Sequence, residues 1–139
     1  MGAVLDRGAL QWQPGTILLR LELPPISATQ LTFYCGATGV TDPIHYDLDF
    51  ARRFGFPERV VNGSLRVAWI AETAAALVRA PGYLHTLSCQ HRKPLYLGTA
   101  PTIEIRLRAV DASSATLDCD VEVTAHGEVV DTAELSLRL

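Results

Sequence analysis

Asp42 and His45 share the stretch Thr38 to Tyr46, which carries Gly, Thr, Asp and Pro without an apolar period and is therefore a loop. A carboxylate and an imidazole this close are the side chains that transfer protons near neutral pH, so the loop is the one credible chemical site in the chain. Each residue also has a plain structural use. A histidine in a buried loop can bond to backbone, Asp42-Pro43 is a turn initiator whose carboxylate can bind nearby amides, and Asp47 can cap the helix that follows. Elsewhere Glu72 lies mid-helix, where an ion pair with Arg66 or Arg79 is expected. His85, His91 and His126 form no metal-ligand spacing with a carboxylate and read as surface or strand histidines. Cys35, Cys89 and Cys119 are odd in number and far apart, without a C-x-x-C pair, and read as reduced core thiols. No metal site is expected.

These residues must be positioned by one domain, residues 1–139, because a chain of this length buries about two-thirds of its unfolded surface in a single core. Hydrophobic residues make up 48% and charged residues 19%, the composition of an ordinary folded protein. The net charge of -3, with basic residues scattered, offers no stripe for a phosphate backbone or an anionic membrane. Neither nucleic acid nor membrane is an expected partner. The segment Met1 to Arg7 lacks the charged and apolar parts of a signal peptide, and no apolar run reaches spanning length, so a cytoplasmic location is expected.

Along the chain, Thr16 to Leu23 is a predicted strand closed by Pro24-Pro25. Ser27 and Gln30 have the spacing of a capping box for a helix that should end near Gly36. Asp47 should cap a second short helix through Phe54, stopped by Gly55. From Ser64 to Ala80 the chain is apolar on nearly all sides, with Arg66, Glu72 and Arg79 as exceptions, so a long helix buried on most of its circumference is expected. After Pro81-Gly82 the period becomes two. Ile103, Ile105, Leu107 and Ala109 form one apolar face, Leu117, Cys119, Val121 and Val123 another, and Ala133, Leu135, Leu137 and Leu139 a third. Asp111 to Ser114 and His126-Gly127 are the turns between them. With Tyr83 to Lys93 and the first strand, these make about five antiparallel strands. The expected fold is α+β, a single hot-dog domain whose curled sheet wraps around one long buried helix.

The segment Phe33-Tyr34-Cys35-Gly36-Ala37-Thr38-Gly39-Val40-Thr41-Asp42-Pro43-Ile44-His45-Tyr46-Asp47, with Phe50-Ala51, Gly55-Phe56-Pro57 and Val60-Val61-Asn62-Gly63 behind it, resembles the MaoC-like family of (R)-specific enoyl-thioester hydratases and 3-hydroxyacyl-thioester dehydratases. His91-Arg92-Lys93-Pro94-Leu95-Tyr96-Leu97-Gly98 is similar to that family's strand-and-turn, so the likeness runs from Leu23 to Arg108. The resemblance implies a hot-dog fold, usually dimeric, acting on acyl groups carried by coenzyme A or acyl-carrier protein, with no other cofactor. The implied reaction is reversible addition of water across a 2,3-double bond. Removing a proton beside a thioester carbonyl builds an enolate, which requires an acid/base group and an oxyanion hole. By resemblance His45 is the acid/base and the Gly63 N–H faces the thioester oxygen. Arg92 and Lys93 are candidates for a pantetheine phosphate.

The chain departs from the family's Gly-Asp-x-Asn-Pro-(Leu/Ile)-His pattern at informative places. Val40 stands at the Asp, Asp42 at the Asn, and Asn62 replaces the His before Gly63. Some relatives, the fungal-type 3-hydroxyacyl-thioester dehydratases, are similar around Ile44-His45-Tyr46-Asp47 and tolerate an amide at the Asp position. Asp42 is thus a possible carboxylate partner for His45, two residues along the loop, and Val40 and Asn62 are expected to border the substrate. Two alternatives accompany the lyase expectation. One is isomerisation or ring-closing addition on an unsaturated acyl chain; the other is a silent acyl-binding subunit that completes a heterodimer with a related hot-dog chain.

Overall fold

The computed structural model describes residues 4–139, so Met1 to Ala3, the start of the segment assessed as a leader, lie outside the described residues. After a 3-10 turn at Arg7–Gln11, strand β1 spans Ile17–Glu22 and stops before the paired prolines. Helix α1, Ala28–Thr38, starts where the Ser27 hydroxyl accepts the Gln30 N–H at 3.1 Å. It runs past the expected stop at Gly36. Gly39, at φ 69°, forms the left-handed cap and donates its N–H to the Cys35 carbonyl. A residue without Cβ takes that conformation at no steric cost, which makes Gly39 the effective terminator. A 3-10 turn at Pro43–His45 and the short helix α2, Leu48–Arg53, follow, the latter capped by Asp47 accepting the Phe50 N–H at 3.0 Å.

Helix α3 spans Gly63–Ala75, shorter than the expected Ser64 to Ala80. It ends because the residues beyond it bond elsewhere: the Leu77 carbonyl accepts the Leu5 N–H at 2.6 Å, and Val78 bridges Leu5. Nor is it buried all round. Leu65, Arg66, Ile70, Thr73 and Ala74 face inward, whereas Ser64, Ala68, Glu72, Ala75 and Ala76 are exposed and Trp69 is half-buried. A single sheet covers only one face of a helix. The outer face reads as apolar in the sequence because Ala68, Ala75 and Ala76 stand on it, and alanines lose little by being wet. Glu72 is accordingly exposed and does not pair with Arg66, whose partner lies across the core.

Strands β2 (Tyr83–His91), β3 (Thr102–Asp111), β4 (Thr116–Ala125) and β5 (Glu128–Arg138) complete a five-stranded antiparallel sheet in the order β1-β3-β4-β5-β2. The period of two sorts its faces: Ile103, Ile105, Leu107, Leu117, Cys119, Val121, Ala133, Leu135 and Leu137 are buried, while Arg106, Arg108, Asp120, Glu122 and Glu134 are exposed. Leu65, Ile70 and Ala74 of α3 pack into the same core cluster as the inner sheet face. This is the α+β hot-dog arrangement expected from the strand pattern. Cys35 and Cys119 are buried and Cys89 is half-buried, all as free thiols. Burial pushes the Cys119 thiol up to about 12. No described helix is long and apolar enough to cross a membrane.

Ile70 is fully buried where α3 meets the sheet. Ile70→Ala is expected to cost about 2–5 kcal/mol in chemical denaturation, the usual range for truncating a buried aliphatic side chain. A loss below about 1 kcal/mol would contradict the packing of α3 against the inner face.

Candidate active site

The N-terminus of α3 opens onto a cleft of about 310 Å³ that His45, Phe56, Gly63, His91, Arg92 and Lys93 help to line. Three segments build it. The loop before α2 brings His45, the approach to α3 brings Val60 to Gly63, and the end of β2 brings His91 to Lys93. Val60 clamps the first two together, donating its N–H to the Ile44 carbonyl at 3.0 Å while its carbonyl lies 2.7 Å from His45 Nδ1. A carbonyl only accepts, so Nδ1 carries the proton and Nε2 of the neutral ring keeps the lone pair. His45 is half-buried.

Gly63 is the first residue of α3, so its N–H has no intrahelical acceptor and lies at the positive end of the helix dipole. Asn62, 6% exposed, accepts the Ser64 N–H at 2.9 Å, and the Tyr34 hydroxyl donates to Ser64 Oγ at 2.9 Å, tying α1 to this helix end. Gly63 is required by what lies above it. A methyl group there would sit 2.7 Å from His91 Nε2.

The remaining residues singled out from sequence are distributed as follows. Asp42 is exposed, and its carboxylate accepts the Ile44 N–H at 3.2 Å as the cap of the 3-10 turn, with no hydrogen bond to the His45 ring. Val40 borders a separate cavity with Cys35 and Tyr46. Arg92 and Lys93 stand at the cleft, yet both have partners: Arg92 Nε donates to Thr132 Oγ1 at 3.0 Å, and Lys93 Nζ meets Glu128 at 2.7 Å. That lysine's hydrogen bond and charge draw the Glu128 carboxyl below its ordinary range.

Behind the cleft lies a cluster that the linear spacing did not expose. Asp131 is fully buried and Arg66 is 4% exposed. The guanidinium holds both carboxylate oxygens, Nε to Oδ2 at 2.9 Å and Nη2 to Oδ1 at 2.5 Å, and also donates to the carbonyls of Lys93 and Val130. The same Oδ1 lies 2.6 Å from His91 Nδ1. His91 is thus no isolated strand histidine. Its carboxylate partner is forty residues away in sequence and directly opposite in the β2–β5 register. Two signals were available in the chain. Asp131 occupies the same inward phase of β5 as Ala133 and Leu135, and Arg66 shares a helix face with Ile70, so each is a charge at a core position. Cys89, His91 and Asp131 also bring possible metal-ligand atoms within 4.8 Å of one another, which corrects the expectation that His91 has no such grouping. Both Asp131 oxygens are already committed to a fixed cation, which disfavours a metal there. Burial first, and the Asp131 charge second, push the Cys89 thiol up, so it stays neutral.

The sheet, the helix and the cleft at its N-terminus define the hot-dog class. Residues 12–129 match the family described as the MaoC like domain. The chain belongs to that family, whose members are hydratases and dehydratases. It is similar in structure to the (R)-hydratase of A. caviae involved in PHA biosynthesis, with a TM-score of 0.81 at 18% identity, over 93% of this chain and 98% of that one. The R-hydratase PhaJ1 of Pseudomonas aeruginosa gives 0.80 at 19% identity, over 91% and 81% of the two chains. A chain of the ChsH1-ChsH2 complex of Mycobacterium tuberculosis gives 0.81 at 18%, over 91% and 98%. No curated protein sequence matches the chain.

The buried ion pair makes its own forecast. Arg66→Met leaves the Asp131 charge with no permanent counter-charge and is expected to cost about 3–5 kcal/mol, whereas Arg66→Met combined with Asp131→Leu should recover most of that loss. Urea denaturation of both variants checks this; equal stability of the single variant and the parent would contradict the pairing.

Proposed function

We propose that this chain is a hydro-lyase that adds water to, or removes it from, an acyl group carried as a coenzyme A or acyl-carrier-protein thioester. The observation that carries the reading is the disposition of His45, with Nδ1 engaged by the Val60 carbonyl and Nε2 left bare on the cleft that Gly63 also borders. A base and a helix N-terminus at one apolar-walled cleft are what enolate chemistry requires. His45 Nε2 exchanges the proton, and the thioester oxygen takes its developing charge against the Gly63 N–H, where the helix dipole favours it. Phe56, Val61 and Pro94 give the acyl chain an apolar wall, and Arg92 and Lys93 lie where a pantetheine phosphate would run. Lys93 must exchange Glu128 for that phosphate. The site needs no other cofactor, and we place the reaction in the cytoplasm.

The role of Asp42 follows from its geometry. With its carboxylate spent on the Ile44 N–H, it serves the loop's shape, and His45 works without it. His45→Ala is expected to lower turnover of the true thioester by roughly 10²–10⁴-fold, the usual contribution of a positioned acid or base, with KM little changed. Asp42→Asn, which keeps the capping oxygen, should retain most activity. A loss as large as that of His45→Ala would instead give Asp42 a chemical role.

Val40 at the family's Asp position favours a second reading, a silent subunit that binds acyl thioester beside an active relative. Wild type that binds enoyl-coenzyme A yet never turns it over would select it. Under either reading a second hot-dog chain covers the exposed alanine face of α3 and the flank of Trp69, as a homodimer or a heterodimer. Light scattering is expected to return twice the mass of the chain, or the mass of a mixed pair when the relative is co-expressed; a monomer at micromolar concentration would refute the assembly.

A further inference from the structure

We propose that His91 is the second proton-transfer residue of the cleft, aimed by the buried Asp131–Arg66 pair, and that it supplies the function for which Val40 has no group. The inference rests on the hydro-lyase reading and assigns a partner to His45. Three observations converge on it. Asp131 Oδ1 lies 2.6 Å from His91 Nδ1, and because a carboxylate bound to arginine only accepts, Nδ1 carries a proton and Nε2 is the working atom. That Nε2 stands directly over Gly63, at the end of α3 where the thioester oxygen is to bind. Finally, Asp131 is fully buried and Arg66 is 4% exposed, whereas the His91 side chain is 41% exposed and open to the cleft. A desolvated ion pair is a costly support for a histidine on a sheet edge unless the orientation of that ring matters.

The two imidazoles divide the reaction. As hydration begins, His45 Nε2 takes a proton from water while the water oxygen forms its bond to C3 of the 2-enoyl thioester. The C2–C3 π pair moves toward C1, and the carbonyl oxygen takes the negative charge at the Gly63 N–H. His91, acting in its imidazolium form, then gives its Nε2 proton to C2 as the enolate collapses back to the carbonyl, while Asp131 goes on accepting from Nδ1. One water has been added. Exchange of a proton between His45 and His91 through solvent restores the starting state, and dehydration runs the same steps backwards. The charged and titratable groups facing His91 are Asp131 from β5, Arg66 from α3 and Cys89 on its own strand, with His45, Arg92 and Lys93 around the cleft. Cys89 stays neutral, so Asp131 is the anion at the ring.

The test is steady-state hydration of short and medium 2-enoyl-coenzyme A thioesters across pH, for wild type, His91→Gln, and the Arg66→Met/Asp131→Leu pair. Wild type is expected to give a bell-shaped kcat profile, set by one base and one acid. His91→Gln, which keeps a polar side chain beside Asp131, should lower kcat by roughly 10²–10⁴-fold, leave KM near its parent value and lose one limb of the bell. The double variant keeps an apolar core but no longer aims His91, and should lose kcat without losing its fold by circular dichroism. If wild type hydrates none of the thioesters, the hydro-lyase reading falls and this proposal with it. If wild type is active while His91→Gln keeps its kcat and both limbs, or the folded double variant keeps full activity, the proposal alone is overturned.

Discussion

The Arg66–Asp131 pair is the constraint on which the working end of this molecule depends. It is a bidentate contact between two almost fully buried side chains, one on α3 and one on β5. Two charges taken out of water gain little net stability from each other, so the pair is better understood as a device for register than as a source of free energy. Arg66 Nη2, beyond its bond to Asp131, also reaches the carbonyls of Lys93 and Val130, so one side chain fixes the height of α3 against both the segment after β2 and the start of β5. A shift of either element would leave a buried charge unpaired, and that penalty is steep.

From this anchor the rest of the cleft follows by contact. His91 pairs with Asp131 across two neighbouring strands, and its ring reaches back over the first turn of α3, where only glycine leaves room. On the other side, Val60 bonds the His45 loop through both its N–H and its carbonyl. The N-terminus of α3 therefore lies between two histidines, each with Nδ1 tied down and Nε2 free. Three chain segments far apart in sequence meet there because the helix runs across the concave face of the sheet. The resulting cleft holds two imidazoles, the N–H of Gly63 and an apolar wall within one small opening.

The chain belongs to the MaoC-like family, whose members are hydratases and dehydratases, and its residues mark where it departs from that family's pattern. At position 40 a valine borders a neighbouring cavity, and at position 42 the carboxylate is used to cap a turn of three residues. A carboxylate nonetheless lies behind the cleft, on β5, bonded to the imidazole of His91. A buried strand position fixes that carboxylate more firmly than an exposed loop fixes Asp42.

Much of this was legible in the sequence. The period of two from Ile103 onward specified which face of each strand is buried, since a pleated strand sends alternate side chains to opposite sides. Caps at Ser27 and Asp47 were visible because a short polar side chain satisfies helix N–H groups two or three residues ahead, a strictly local event. The motif around His45 marked the family and the loop. Tertiary structure alone decided how much of α3 is covered, where it ends, and what Asp42 does. The first two depend on partners distant along the chain, the single sheet that covers one helix face and Leu5 meeting Leu77, whereas Asp42 takes the local option, its carboxylate accepting the Ile44 amide two residues on. It also decided the meaning of His91. A histidine on an exposed edge strand carries no local sign of its role, and only the antiparallel register of β2 with β5 sets it opposite Asp131, with Arg66 arriving from the helix to hold the carboxylate in place.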